Sequence, residues 1–209
     1  MIDFNLYLIT DRHQTGGRPL ESVVEQALQG GVKAVQLREK DLSAREIYET
    51  ALIMRKLTNQ YKAQLYINDR VDIALAIQAD GVHLGQQSMS VAAVKRIGQG
   101  KLRIAVSTHN TNEAKEAVQG GADFITFGPV YETPSKKQYG PPVGLETLRN
   151  VCQAFAVPVF GLGGIDSPEK VQAVKSAWAY GVSMISAVVG ASDVKKAAEK
   201  FIKSWENNL

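Results

Sequence analysis

Apolar residues come in short runs that alternate, from one end of the chain to the other, with longer stretches of helical period. The runs predict strands at Leu6 to Thr10, Ala34 to Leu37, Gln64 to Ile67, Gly81 to Leu84, Arg103 to Ser107, Phe124 to Phe127, Val157 to Gly161 and Val182 to Ser186. Between them the pattern predicts helices near Pro19 to Gln29, Ser43 to Tyr61, Val91 to Ile97, Asn112 to Gln119, Leu145 to Phe155, Pro168 to Ala177 and Asp193 to Trp205. A further short helix fits between the third and fourth strands. Only the loop Tyr131 to Val143 breaks the rhythm.

Strict strand and helix alternation implies a parallel sheet with right-handed crossovers. Eight such units within 209 residues match a compact (β/α)8 barrel, the TIM-barrel class, near its lower size limit. A doubly wound open sheet is the rival architecture. Closure is favoured by units of similar length, by the absence of a linker, and by recurring junctions at Gly30-Gly31, Asp80-Gly81, Gly120-Gly121 and Tyr180-Gly181. Residues 1–209 then form one domain. In a barrel, chemistry belongs at the C-terminal strand ends.

Composition narrows the partners. With 44% hydrophobic and 22% charged residues the chain is an ordinary globular one, which excludes disordered and collagen-like readings. Lys plus Arg number 24 against 21 Asp plus Glu, and a net charge of +3 supports neither a nucleic-acid surface nor a polybasic membrane surface. The lone Cys152 excludes an internal disulfide and a multi-cysteine zinc site, and reads as packing. No run approaches the roughly 18 apolar residues of a membrane span, and Asp3, Asp11 and Arg12 interrupt the N-terminal stretch. The expectation is a soluble, cytoplasmic protein. Barrels often associate through their outer helices, so a homo-oligomer fits, with no interface named.

The strand ends carry the candidate residues. After strand two, Gln36 and Arg38 share parity and should point into the barrel, with Lys40 beside them. A solvated loop would pair Arg38 with Glu39 and Lys40 with Asp41; cations left unpaired would instead await an anion. Asn68 and Asp69 follow strand three, where one should cap the next helix and the other could meet a hard cation. His83 in its apolar strand reads first as a core residue. Ser107-Thr108-His109-Asn110 ends strand five with hydroxyls suited to a leaving group or to capping a helix. No nucleophilic triad is legible.

The long loop carries Thr133-Pro134-Ser135-Lys136-Lys137, then Tyr139-Gly140-Pro141-Pro142, a composition suited to covering a polyanion. Gly161-Leu162-Gly163-Gly164-Ile165 ends strand seven and Ser183-Met184-Ile185-Ser186 ends strand eight. Glycines there let backbone N–H groups approach an anion, and these two loops form the common phosphate site of barrels. A phosphorylated small molecule is the expected ligand.

In order, Gln36 to Lys40, Ile67-Asn68-Asp69, Gly81 to Gln86, Phe127 to Val130 with Thr133 to Lys136, Gly161 to Ile165 and Val182 to Ala187 resemble the motifs of the thiamine-phosphate synthase and TenI-like family. The resemblance spans essentially the whole chain. It implies condensation of hydroxymethylpyrimidine pyrophosphate with thiazole phosphate, giving thiamine phosphate and pyrophosphate. It assigns the leaving pyrophosphate to Arg38, Lys40, Ser107 and Lys136 as catalytic groups, with hydroxyls from Thr133 and Ser135. Pyrimidine contacts fall on Gln36 and Asn68, the Mg2+ ligand on Asp69, and thiazole phosphate on Gly164, Ile185 and Ser186, beside the Gly163 that the glycine pattern already offers to a phosphate.

One stretch departs from the family pattern: an acidic pair expected after Gly85-Gln86, its second member binding Mg2+, is here Gln87-Ser88, which weakens the expected metal site. TenI-like relatives instead aromatise a thiazole carboxylate phosphate, and the tautomerase pattern has a histidine where this chain has Pro129. That alternative would need His83 or His109 as its acid-base group. A non-catalytic regulatory binder of thiazole or thiamine phosphate is the third reading.

Overall fold

The computed structural model describes residues 2–133 and 141–207. Eight parallel strands close in sequence order into a barrel: β1 (Leu6–Ile9), β2 (Ala34–Leu37), β3 (Gln64–Asn68), β4 (Gly81–Leu84), β5 (Arg103–Thr108), β6 (Phe124–Phe127), β7 (Val159–Leu162) and β8 (Gly181–Met184). The helices are α1 (Leu20–Gln29), α2 (Ala44–Gln60), α3 (Val71–Ala76), α4 (Val91–Gly98), α5 (Thr111–Gly120), α6 (Gly144–Ala154), α7 (Pro168–Ser176), α8 (Ser186–Val189) and α9 (Val194–Glu206). The (β/α)8 expectation therefore holds, and no helix among the described residues is long and apolar enough to cross a membrane.

Strand parity separates two apolar layers. Leu8, Val35, Leu65, Val82, Ile104 and Ile125 face outward and are covered by the helices. Tyr7, Ala34, Tyr66, Ala105, Phe124 and Phe160 fill the inside, with Phe4 packed among them. Tyr7, Tyr66 and Phe124 meet edge to face with centroids 5.4–5.5 Å apart. Two glycines make room for these rings: a Cβ on Gly81 would lie 2.4 Å from the Tyr66 ring, and one on Gly181 would lie 2.5 Å from that of Phe160. An aromatic plug thus fills the barrel interior below the C-terminal mouth.

Most helices start on a short polar side chain. Ser43 and Glu46 form a reciprocal capping box on α2, while Ser90, Asn110, Ser167 and Asp193 accept the first free N–H groups of α4, α5, α7 and α9.

Several boundaries shift by one or two residues from the sequence expectation, most clearly in the last two strands. β7 begins at Val159 because Pro158 has no N–H to give the ladder, although its carbonyl accepts from Ile125. β8 stops at Met184, and Ser186 opens the extra helix α8 instead of ending a strand. A 3-10 turn, Arg12–Gln14, follows β1. At the opposite, N-terminal end of the barrel, a cavity of about 690 Å³ is lined by Asp80, Lys95, Arg103 and Asp123. Its charges serve the fold, since Asp80 binds Arg55 and the Leu65 N–H, and Asp123 binds the Ile104 N–H.

Candidate active site

β2 delivers Gln36 to the buried interior, and the chain beyond it brings a half-buried Arg38 and an exposed Lys40 to the mouth. The acids between them are engaged elsewhere. Glu39 is buried and accepts from Thr10 Oγ1 (2.6 Å), from the Arg12 N–H (3.1 Å) and from the Arg12 guanidinium (3.4 Å). Asp41 accepts from Nη1 and Nη2 of the same guanidinium in a two-pronged pair at 2.5 and 2.6 Å and meets His13 Nε2 at 3.0 Å. Arg12 first, then His13, hold its carboxyl well below the usual range. The Arg38 to Glu39 and Lys40 to Asp41 pairs of a solvated loop therefore do not form. Among the described residues neither Arg38 nor Lys40 makes an ion pair.

Asp69 follows β3 in a left-handed backbone conformation (φ 58°). The expected cap is absent: α3 starts without a side-chain cap, so neither Asn68 nor Asp69 serves it. Their polar groups meet each other instead, Asn68 Nδ2 donating to Asp69 Oδ2 at 2.8 Å. The Ser88 hydroxyl donates to Asp69 Oδ1 and accepts the Gly85 N–H at 2.6 Å. An exposed carboxylate and a hydroxyl oxygen thus stand together above the mouth. Such hard oxygen donors fit Mg2+. No cluster of three or more His, Cys, Asp or Glu side chains surrounds them among the described residues, so the remaining ligands would be phosphate oxygens and water.

His83 is a satisfied interior residue, as the apolar strand implied. Nδ1 meets the Tyr7 hydroxyl at 3.2 Å and Nε2 meets Ser107 Oγ at 2.8 Å. Burial, with Arg38 adding to it, pushes the imidazole down to about 3, so it is neutral. Of the residues ending β5, only Ser107 faces this interior chain. Thr108 is buried and donates to the Thr126 carbonyl, His109 binds Glu113 through both its N–H and Nδ1, and Asn110 caps α5.

The glycines after β7 divide into two roles. A Cβ on Gly161 would strike Val174 of α7, so this glycine serves helix packing. Gly163 (φ 99°) and Gly164 (φ 66°) take left-handed turns, and Cβ atoms there would come within 2.6 and 2.7 Å of Pro129 and Tyr131. Val130 and Tyr131 donate to the Leu162 and Gly163 carbonyls at 2.8 and 3.1 Å, lacing the loop after β6 to the loop after β7. Lys170 locks the turn through the Gly164 carbonyl at 2.9 Å while lying over the Tyr131 ring. The N–H groups of Gly164, Ile185 and Ser186 donate to nothing among the described residues, which leaves them available to an anion. Thr133 is half-buried at the end of this loop. Ser135 and Lys136 lie outside the described residues, together with Pro134, Lys137, Tyr139 and Gly140.

Sequence reasoning overlooked Tyr7 and Thr126, both interior and polar, and read Ser183 only as part of the end of strand eight, where it is buried. Tyr7 shares the inward parity of Ile9 within an apolar run, and that parity was the available signal.

Comparison with known proteins agrees with this geometry. The thiamine monophosphate synthase family model matches residues 6–188. A Geobacter sulfurreducens relative is 54% identical over 202 residues, 96% of this chain and 94% of its own. The thiamine-phosphate synthase of Chloroflexus aurantiacus is 42% identical over 200 residues, covering 96% and 92% of the two chains. Among solved structures, a thiamine phosphate pyrophosphorylase from Pyrococcus furiosus superposes with a TM-score of 0.89 at 39% identity, over 97% of this chain and 95% of that one.

Proposed function

This chain belongs to the thiamine monophosphate synthase family, and from that premise we propose that its barrel mouth joins hydroxymethylpyrimidine pyrophosphate to thiazole phosphate, releasing pyrophosphate. The observation that carries the reading is the diversion of Glu39 and Asp41 to Arg12, which leaves Arg38 and Lys40 as uncompensated cations at one mouth. Two cations without acids are suited to a diphosphate.

Departure of pyrophosphate leaves a resonance-stabilised pyrimidine methyl cation, which the thiazole nitrogen captures. Such a step calls for charge stabilisation on the leaving group and no strong base. Arg38, Lys40 and Lys136 take the developing negative charge, and Ser107, Thr133 and Ser135 donate hydrogen bonds to it. Gln36 and Asn68 hold the pyrimidine. Asp69, with Ser88 beside it, would hold Mg2+, which when bound supplies further positive charge to the diphosphate oxygens. The N–H groups of Gly164, Ile185 and Ser186, with the turn at Gly163, receive the thiazole phosphate. The lone thiol suits a reducing cytoplasm.

The tautomerase alternative is not favoured, because both ring nitrogens of His83 are engaged inside the barrel and His109 is held by Glu113. The test is product formation: thiamine phosphate and pyrophosphate should appear in equal amounts only when both substrates are present. Thiazole carboxylate phosphate alone should remain unchanged; its aromatisation would overturn the reading.

A further inference from the structure

Tyr7, His83 and Thr126 are buried in the barrel, and the chemistry above gives them no part. They connect two residues that do have one. Gln36 Nε2 donates to the Tyr7 hydroxyl (3.2 Å), Tyr7 meets His83 Nδ1 (3.2 Å), and His83 Nε2 meets Ser107 Oγ (2.8 Å). Tyr7 has a single proton, and that fixes the direction of the chain. Since its oxygen accepts from Gln36, its own O–H goes to His83 Nδ1. A neutral imidazole carries one N–H, which must then be on Nε2 and be donated to Ser107 Oγ. Thr126 Oγ1 donates to the same oxygen at 3.5 Å. With its oxygen accepting twice, the proton of Ser107 is left to donate elsewhere. At the other end, Gln36 Oε1 accepts nothing from the described residues.

We propose that Tyr7 and His83 are positioning residues that fix hydrogen-bond polarity on both sides of the mouth, presenting Gln36 Oε1 as an acceptor and the Ser107 hydroxyl as a donor. What these groups meet rests on the synthase reading. The acceptor suits the exocyclic amino group of an aminopyrimidine, and the donor suits an oxygen of the leaving diphosphate. A pyrimidine with a carbonyl in place of that amino group would set acceptor against acceptor. Gln36 could turn its amide to meet it only by reversing the Tyr7 and His83 protons and withdrawing the Ser107 donor. The relay therefore selects aminopyrimidine over oxopyrimidine, through residues that touch neither.

Two measurements test this. Nitrogen-15 NMR of the substrate-free protein, made in a His13→Gln, His109→Gln background so that His83 is the only histidine, should show one neutral Nε2–H tautomer. Tyr7→Phe should give a mixture of tautomers. In the synthase assay, Tyr7→Phe should reduce the preference for the amino over the oxo substrate by about tenfold, the worth of one hydrogen bond, with the KM for thiazole phosphate within about twofold. A general loss of packing would move both substrates together. An Nδ1–H tautomer, or an undiminished preference in Tyr7→Phe, would overturn the relay. The tautomer is read without substrate, so an Nε2–H signal in a chain that forms no thiamine phosphate would support the relay and reject the synthase reading. An Nδ1–H signal in an active synthase would reject the relay alone.

Discussion

Glu39 turns away from Arg38, its sequence neighbour, and closes on Arg12, accepting from both the backbone N–H and the guanidinium of that residue. Thr10 completes the arrangement from β1's end, donating to the second carboxylate oxygen at 2.6 Å. The consequence is electrostatic: a buried acid next in sequence to a mouth cation is compensated by a different cation.

Arg12→Ala should therefore act at a distance. Released from Arg12, Glu39 and Asp41 would compete with diphosphate for Arg38 and Lys40, raising the KM for the pyrimidine substrate about three- to tenfold. The KM for thiazole phosphate should stay unchanged. Initial rates with each substrate varied in turn check this, and equal shifts in both would point to general damage.

Ser88→Asp should lower the Mg2+ concentration needed for half-maximal rate by about tenfold, because a second carboxylate would join Asp69. A magnesium titration of initial rate reads the effect. An unmoved midpoint would mean that this position does not limit metal binding.

Gly164→Ala should cost stability and phosphate affinity together. Its φ of 66° is unfavourable for a residue with a Cβ, and that Cβ would lie 2.7 Å from Tyr131 and from the Glu132 carbonyl. The left-handed conformation alone costs about 1–2 kcal/mol. Denaturant midpoints give the stability, and calorimetric titration with inorganic phosphate gives the affinity, which should fall at least about fivefold.

Cys152 should be inert in the native protein. Burial pushes its thiol up to about 12, and the reactive thiolate exists only as pH rises toward that value. At pH 8 the thiolate fraction is about one in ten thousand. A disulfide reagent at pH 8 should label it slowly when folded and rapidly in denaturant; fast labelling of the folded protein would contradict the burial.

Much of this was legible in the sequence, and the reasons are physical. Parity placed Gln36 inside the barrel, and a period of two cannot be satisfied on both faces at once. Alternating strand and helix patterns implied closure, which the β8 to β1 pairing shows. The diversion of Glu39 and Asp41 was not legible, because it joins residues 27 and 29 apart across a crossover. Gly161 looked like part of an anion cradle and serves α7 instead, since a glycine's role depends on what its missing Cβ would strike. One of Asn68 and Asp69 is expected to cap the next helix, and neither does; the left-handed backbone of Asp69 sets it beside Ser88. The interior relay escaped notice because its members come from β1, β2, β4 and β5, and no local pattern joins them.

On the proposed reading, the uncompensated cations at this mouth drive departure of pyrophosphate. The decisive experiment is single-turnover conversion of pyrimidine pyrophosphate and thiazole phosphate at saturating Mg2+, with Arg38→Ala alongside. The unaltered chain should give stoichiometric thiamine phosphate, and Arg38→Ala a rate at least about 100-fold lower with thiazole phosphate still bound. No product from the unaltered chain while thiazole phosphate binds, or an unimpaired rate in Arg38→Ala, would contradict it.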